Sequence, residues 1–274
     1  MSAARSRILL LLPAVAVFAL FLAIPMLTVL DESFRTFEPG PIGSVQGAPL
    51  TVENYAELLR PVYVQYFAQT YFPSFCASAL AVTFAFPIAY YIARNASPWV
   101  RRASLAVIIG RVYSLQLTFG STGILAPVMS ALGLDVNGRL YIDVVIVAGL
   151  LHYTIPMSIL ILIGAIQNLN PRLPEAAQSL GVSAFKSHLT VTIPLCIRGL
   201  VSAFLVSMTF GVSAFVIPWI LGRGRVLFIS NLIYSRFSEI ANYPSGAAIS
   251  IVMMVLSILL IYVMSKLTTL LDRT

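Results

Sequence analysis

The sequence predicts an all-α integral membrane protein, and three observations predict it. Of 274 residues, 59% are hydrophobic and only 10% are charged, giving a mean hydropathy of +0.92. A soluble domain carries about 45–50% apolar and about 25% charged residues, so lipid must serve as solvent for the excess. Six apolar runs are each long enough for a hydrocarbon crossing, which takes about 20 residues. The formal charge of +7 is spread between those runs as membrane topology spreads it, not gathered into a nucleic-acid-binding patch.

The first run is "ILLLLPAVAVFALFLAIPMLTVL", Ile8–Leu30. Arg5 and Arg7 precede it, as they would in a secretory leader. The run is too long for a typical leader core and lacks a clean small-residue cleavage site, so it is expected to be a span. An outer loop of about residues 31–62 follows. The second span is expected at about Tyr66–Ala93, the third at about Ala103–Leu125 and the fourth at about Ile142–Ile166. The fifth is expected at about Val191–Leu221, with a break near Pro218, and the sixth at about Ser245–Leu267. One transmembrane domain over residues 1–274 is the expectation, with no internal repeat. Cys76 and Cys196 lie in apolar stretches without metal-ligand spacing and read as buried free thiols.

Orientation follows from Lys and Arg. With both termini in the cytoplasm, ten basic residues fall inside and six outside, and Arg111 lies within a span. The inside set includes Arg94, Arg101, Arg102, Arg172, Lys186 and Arg198. Only Glu175 and Asp272 of the acids fall inside. The positive-inside rule favours this arrangement.

The connector between spans four and five, about residues 169–194, is then cytoplasmic. Pro171 and Pro174 suit a first helical turn. Glu175 follows, where a carboxylate favours the helix dipole. "EAAQSL" is good helix material, and Gly181 interrupts it as a C-terminal glycine or a close-contact point would. "VSAFKSHL" resumes as a second short helix, His188 is expected to be solvated, and Pro194 marks the entry to span five. Physics alone leaves two readings, an amphipathic interfacial connector and a docking element for a partner protein.

The pattern resembles a known one. Glu175, Ala176 and Ala177, then three residues, Gly181, nine residues and "VTIP" (Val191–Pro194) are similar to the EAA loop of permease subunits of binding-protein-dependent ABC importers. Val191 and Ile193 are conservative departures from the usual ending. "LTVENYAELL", "FVIPWILGRG" and "NYPSGAAISIVMMV" resemble stretches of the spermidine/putrescine class, with Arg223 replacing a glycine. "GRVYSLQLTFGSTGILAPVMSALGL" resembles that class's third span and outer helix. The class also includes permeases for aminophosphonates, opines, thiamine and ferric iron.

The resemblance implies a type I ABC importer permease (MetI-like) fold in a bacterial inner membrane. It implies a second homologous permease, two cytoplasmic ATPase subunits that dock on Glu175, Ala176, Ala177, Gly181 and Pro194, and an extracytoplasmic solute-binding protein. ATP and magnesium would belong to the partner ATPase. This chain carries no G-x-x-x-x-G-K-[ST] of its own.

Arg111 lies nine residues beyond Arg102, about 13 Å into a core about 30 Å thick. An ionisable residue there is a functional-site hypothesis by default. It fits a substrate anion, or a structural role capping helix carbonyls or pairing with Asp143. Tyr113, Tyr153, Phe215 and Trp219 are candidates for an aromatic pathway for an amine through cation–π contact, or are packing residues. Asp143 and Glu239 are expected near the outer face and solvated. No paired carboxylates, Ser/His/Asp order or His/Cys cluster stands out, so a transport subunit is expected rather than an enzyme. A secondary transporter or a membrane-embedded enzyme is the alternative; the first calls for an inverted repeat and buried acids.

Overall fold

A computed structural model describes residues 17–38, 47–95 and 135–271, together with Pro13, Val15, Gly123, residues 126–131 and Gly133. In chain order the α-helices are α1 (Ile24–Ser33), α2 (Glu53–Glu57), α3 (Pro61–Asn95), α4 (Ala126–Ala131), α5 (Arg139–Gln167), α6 (Arg172–Ser179), α7 (Ala184–Ser187), α8 (Ile193–Leu195), α9 (Ile197–Val212), α10 (Val216–Leu221), α11 (Ile229–Tyr234) and α12 (Tyr243–Leu271). Single π-helical turns occupy Ala19–Ala23, His188–Thr192 and Ser235–Glu239. Among the described residues there is no strand, only an isolated bridge between Arg35 and Leu50.

Three described helices are long and apolar enough to cross a membrane: Pro61–Arg94, Arg139–Gln167 and Tyr243–Lys266. They correspond to expected spans two, four and six. A pair bent by 74°, Ala184–Leu195 with Ile197–Val212, is a fourth candidate and corresponds to span five. Span one is described from its second half onward, and span three lies almost wholly outside the described residues.

The course of span five differs from expectation. Its sharp bend falls at Cys196, whose φ of −92° and ψ of 3° leave the helical region. Pro194, two residues earlier, has no N–H to donate into the preceding turn, and that turn is π-helical. A second break separates Val212 from Val216. Pro218 does not break the helix; it sits in the first turn of α10, where proline is tolerated.

The chain divides into two compact units. One comprises Met1–Val64 and Leu232–Leu256. Here the segment after α1 is tied down through polar groups. Arg35 makes a bidentate pair with Asp31 and donates to the Ala48 carbonyl. The Asn54 amide donates to the carbonyls of Ser33 and Arg35. Arg236 donates to the Tyr63 hydroxyl, which donates to Glu57. Gly246 lets α12 lie against the Phe237 ring, which a Cβ would meet at 2.9 Å.

The other unit comprises Gln65–Asn231 and Ser257–Thr274. On α3, Thr70, Ser74, Ala77, Ser78, Ala81, Ala85 and Ala89 are fully buried and recur at three- and four-residue spacing. Such a small-residue stripe lets membrane helices approach closely, where no hydrophobic force separates helix from lipid. Gly211 of α9 meets the stripe at Ser74, and Gly199 meets Ala165 of α5, where a Cβ would come within 2.4 Å. Buried hydroxyls of Ser158 (α5) and Ser207 (α9) hydrogen-bond at 2.9 Å. One end of the unit has a bulky core of Ile142, Ile146, Leu150, Ile217 and Phe228. The other is lined by Ala85, Ala89, Ile92, Leu162, Ile166, Cys196 and Ala203. Both cysteines are free; Cys196 is buried and Cys76 half-buried.

Candidate functional site

The connector between α5 and α9 is a compact hairpin. Helix α6 ends at Ser179, Leu180 caps it, and Gly181 follows with φ +89°. The Val182 N–H donates to the Ala177 carbonyl at 3.3 Å, and the Gly181 N–H to the Gln178 carbonyl at 2.9 Å. These two bonds define a Schellman motif, whose left-handed position strongly favours glycine. A Cβ built on Gly181 meets nothing within 4 Å. Among the described residues, the glycine is therefore called for by backbone conformation and not by close contact.

Helix α7 folds back on α6. The buried Ser187 hydroxyl donates to the Pro174 carbonyl at 2.9 Å, joining the two arms. Glu175 lies exposed in the first turn of α6, without a side-chain partner among the described residues. Ala176 is exposed and Ala177 half-buried beside it. Leu180 and Phe185 are 85% and 75% exposed. Pro194 lies exposed on α8, beyond the hairpin and before the bend.

His188 departs from expectation. It is half-buried, not solvated. Its ring meets the Tyr90 ring edge-on with centroids 4.5 Å apart, and its Nδ1 lies 3.1 Å from the Thr192 hydroxyl. It opens the π-turn His188–Thr192, and only the fold brings α3 beside it.

A second feature forms where span five breaks. Tyr153, Thr154, Phe210, Ser213 and Phe215 line a cleft of about 300 Å³ between α5 and the α9–α10 junction. Tyr153 and Phe210 meet edge-to-face at 5.3 Å, and Phe215 stacks on Trp219 at 5.5 Å. Irregular backbone at membrane depth needs protein partners for its polar groups. Here the Ser230 hydroxyl donates to the Ala214 carbonyl at 2.6 Å, and the Asn231 amide to the Phe215 carbonyl at 3.0 Å. Asn231 is itself buried and accepts from the Phe228 N–H.

Of the expected pathway residues, Tyr153 and Phe215 therefore share one cleft and Trp219 flanks it. Arg111 and Tyr113 lie outside the described residues. Sequence reading missed Phe210, Ser230 and Asn231; the breaker-rich stretch after Val212 was the available signal. Asp143 also differs from expectation. It is half-buried and lines a cleft of about 560 Å³ with Gln65, Gln69, Arg139 and Cys76. Among the described residues no group of three His, Cys, Asp or Glu side chains could hold a metal.

The hairpin and the helices around it lie within a stretch that a family model matches. Residues 85–274 match the binding-protein-dependent transport system inner membrane component family. The chain belongs to this family. It is thus the membrane component of an importer that works with a binding protein, and its place is the inner membrane. The spermidine/putrescine transport system permease protein PotB of Haemophilus influenzae is 31% identical over 263 residues, covering 92% of this chain and 91% of that protein. PotB of Escherichia coli K12 is 26% identical, covering 93% and 94%. The permease protein YdcU of the same organism is 24% identical, covering 84% and 80%. Among solved structures, a chain of a bacterial alginate ABC transporter, crystallised with its pentasaccharide-bound periplasmic protein, superimposes with a TM-score of 0.73. The match covers 98% of this chain and 96% of that one at 18% identity, so it speaks for the fold alone. It agrees with the expected ABC importer permease fold.

Proposed function

We propose that the chain is one of two permease subunits of a polyamine importer, driven by two cytoplasmic ATPases that grip the 174–194 segment and supplied by an extracytoplasmic binding protein. The termini lie in the cytoplasm. The observation that carries the coupling role is the hairpin itself. It is braced internally by the Schellman bonds and the Ser187–Pro174 bond, yet it leaves Glu175, Leu180 and Phe185 exposed. A rigid element with uncovered apolar and acidic side chains suits a lever seated in a partner. ATP binding on the partner would move this lever and turn the pathway outward; hydrolysis would reset it.

The substrate class rests on the PotB relatives and on the aromatic cleft. A polyamine carries ammonium groups on an alkyl chain, and the faces of Tyr153, Phe210 and Phe215 attract cations as they shield methylenes. The cleft lies beside a discontinuous helix, the usual setting of transporter sites.

The test is the complete complex in lipid, with binding protein. Spermidine- or putrescine-loaded binding protein should stimulate ATP hydrolysis and uptake together, and Glu175→Lys should separate the two activities. A reporter fused after Phe185 should read cytoplasmic. Stimulation by an anionic opine or aminophosphonate, with none by polyamines, would overturn the substrate assignment and bring Arg111 forward as the anion's partner.

A further inference from the structure

The braced hairpin must pass its movement to the spans if it is a lever, and the described residues offer a side-chain route besides the chain itself. The π-turn His188–Thr192 follows the hairpin directly. At its first residue, the His188 ring stands edge-on to Tyr90 of α3, with an interplanar angle of 69°. The Thr192 hydroxyl holds the other side of that imidazole. One turn along α3, the Arg94 guanidinium lies 5.9 Å from the Tyr90 ring centroid. Arg94 in turn donates to the carbonyls of Ile166 and Leu169, at 3.0 and 2.9 Å, where α5 ends. Tyr90 thus stands between the π-turn and the ends of two spans.

Ala89, Ile92, Ile166 and Cys196 belong to a buried cluster against which Tyr90 packs. Cys196 is the bend between α8 and α9. π-Turns within helical stretches are frequent at functional positions, and this one lies between the hairpin and the bend.

We propose that Tyr90 and His188 form a strut that carries movement of the hairpin to α3 and, through Arg94, to the end of α5. Both are positioning residues for coupling, since neither touches nucleotide or substrate in this role. The strut rests on the reading that a partner ATPase drives the hairpin. A packing contact alone would affect the amount of complex; a strut affects substrate moved per ATP hydrolysed.

The experiment uses the full complex in lipid, measuring yield, ATP hydrolysis and uptake together. Tyr90→Ala and His188→Ala should each lower uptake per ATP by about three- to tenfold, the worth of one aromatic contact. Tyr90→Phe and His188→Phe keep an edge-to-face pair and should stay within about twofold of wild type on the same scale. The double alanine variant should be no worse than the poorer single, because both remove one contact. An unchanged ratio in both alanine variants, or additive losses, overturns the strut. So does reduced yield with a normal ratio in the complexes that assemble. If Tyr90→Ala fails to assemble, His188→Ala and the two phenylalanine variants decide. A wild-type complex without substrate-stimulated hydrolysis would instead sink the coupling reading itself.

Discussion

The hairpin of α6 and α7 holds its shape through bonds to main-chain groups. Its turn is closed by N–H donors of Gly181 and Val182, its arms by a hydroxyl on the Pro174 carbonyl. Most of its side chains face outward with nothing over them. The aromatic cleft holds its shape through side chains from separate helices. Tyr153 comes from α5, Phe210 from α9 and Phe215 from the break after it, while Ser230 and Asn231 fix the backbone from behind. The difference separates two tasks. On the proposed reading, a lever must not deform when pushed, so its bracing ends on backbone groups and its surface is left for the partner. On the same reading, a pathway must admit and release a solute, so aromatic rings line the cleft while polar side chains pin the backbone behind them.

The comparison breaks first at Gly181. A non-glycine residue in the left-handed conformation costs roughly 1–2 kcal/mol, and a β-branched one suffers most. Gly181→Val should therefore reduce coupled uptake by more than about tenfold, with substrate capture by the binding protein unchanged. Gly181→Asn should keep most of the activity, because asparagine tolerates this conformation. Since a Cβ there meets nothing, equal damage by both would show that size matters and not φ, and would refute the backbone account. Uptake and ATPase assays on both variants decide.

This contrast also explains what was legible in the sequence. Spans two, four and six were readable because hydropathy sums over many residues, and the helices Pro61–Asn95, Arg139–Gln167 and Tyr243–Leu271 overlap their expected positions. The hairpin was readable because its requirements are local: prolines at the start, a carboxylate in the first turn, a glycine at the left-handed position. The bend at Cys196 was not. The apolar run continues through it, and hydropathy is blind to one residue's dihedrals. The cleft was half readable. Tyr153 and Phe215 stood out as aromatic residues, but nothing in their spacing, 62 positions apart, pairs them. His188 looked solvated because its partner Tyr90 lies nearly a hundred positions away.

A milder test of the hairpin is Ser187→Ala. It removes the bond to the Pro174 carbonyl, a loss of about 1 kcal/mol. Uptake per ATP should fall about three- to fivefold, less than for Gly181→Val. Ser187→Thr keeps the hydroxyl and should restore part of it. A Ser187→Ala complex that couples as well as wild type would mean that the Schellman turn alone braces the arms.

The smallest effect is expected in the cleft. Tyr153 is 45% exposed, so its loss should leave the yield of complex unchanged. A cation–π contact at such a site is worth about 0.5–1 kcal/mol. Tyr153→Leu keeps apolar bulk but removes the ring, and should raise the polyamine concentration for half-maximal stimulation by about two- to fivefold. Tyr153→Phe keeps the ring and should change it little, because the attraction comes from the face and not the hydroxyl. Maximal uptake per ATP should be the same in both, the opposite of the hairpin variants. A Tyr153→Leu complex that loses uptake per ATP while keeping its half-maximal concentration would move Tyr153 out of the pathway and into the coupling machinery, and the division between a braced lever and a ring-lined pathway would fail at that residue.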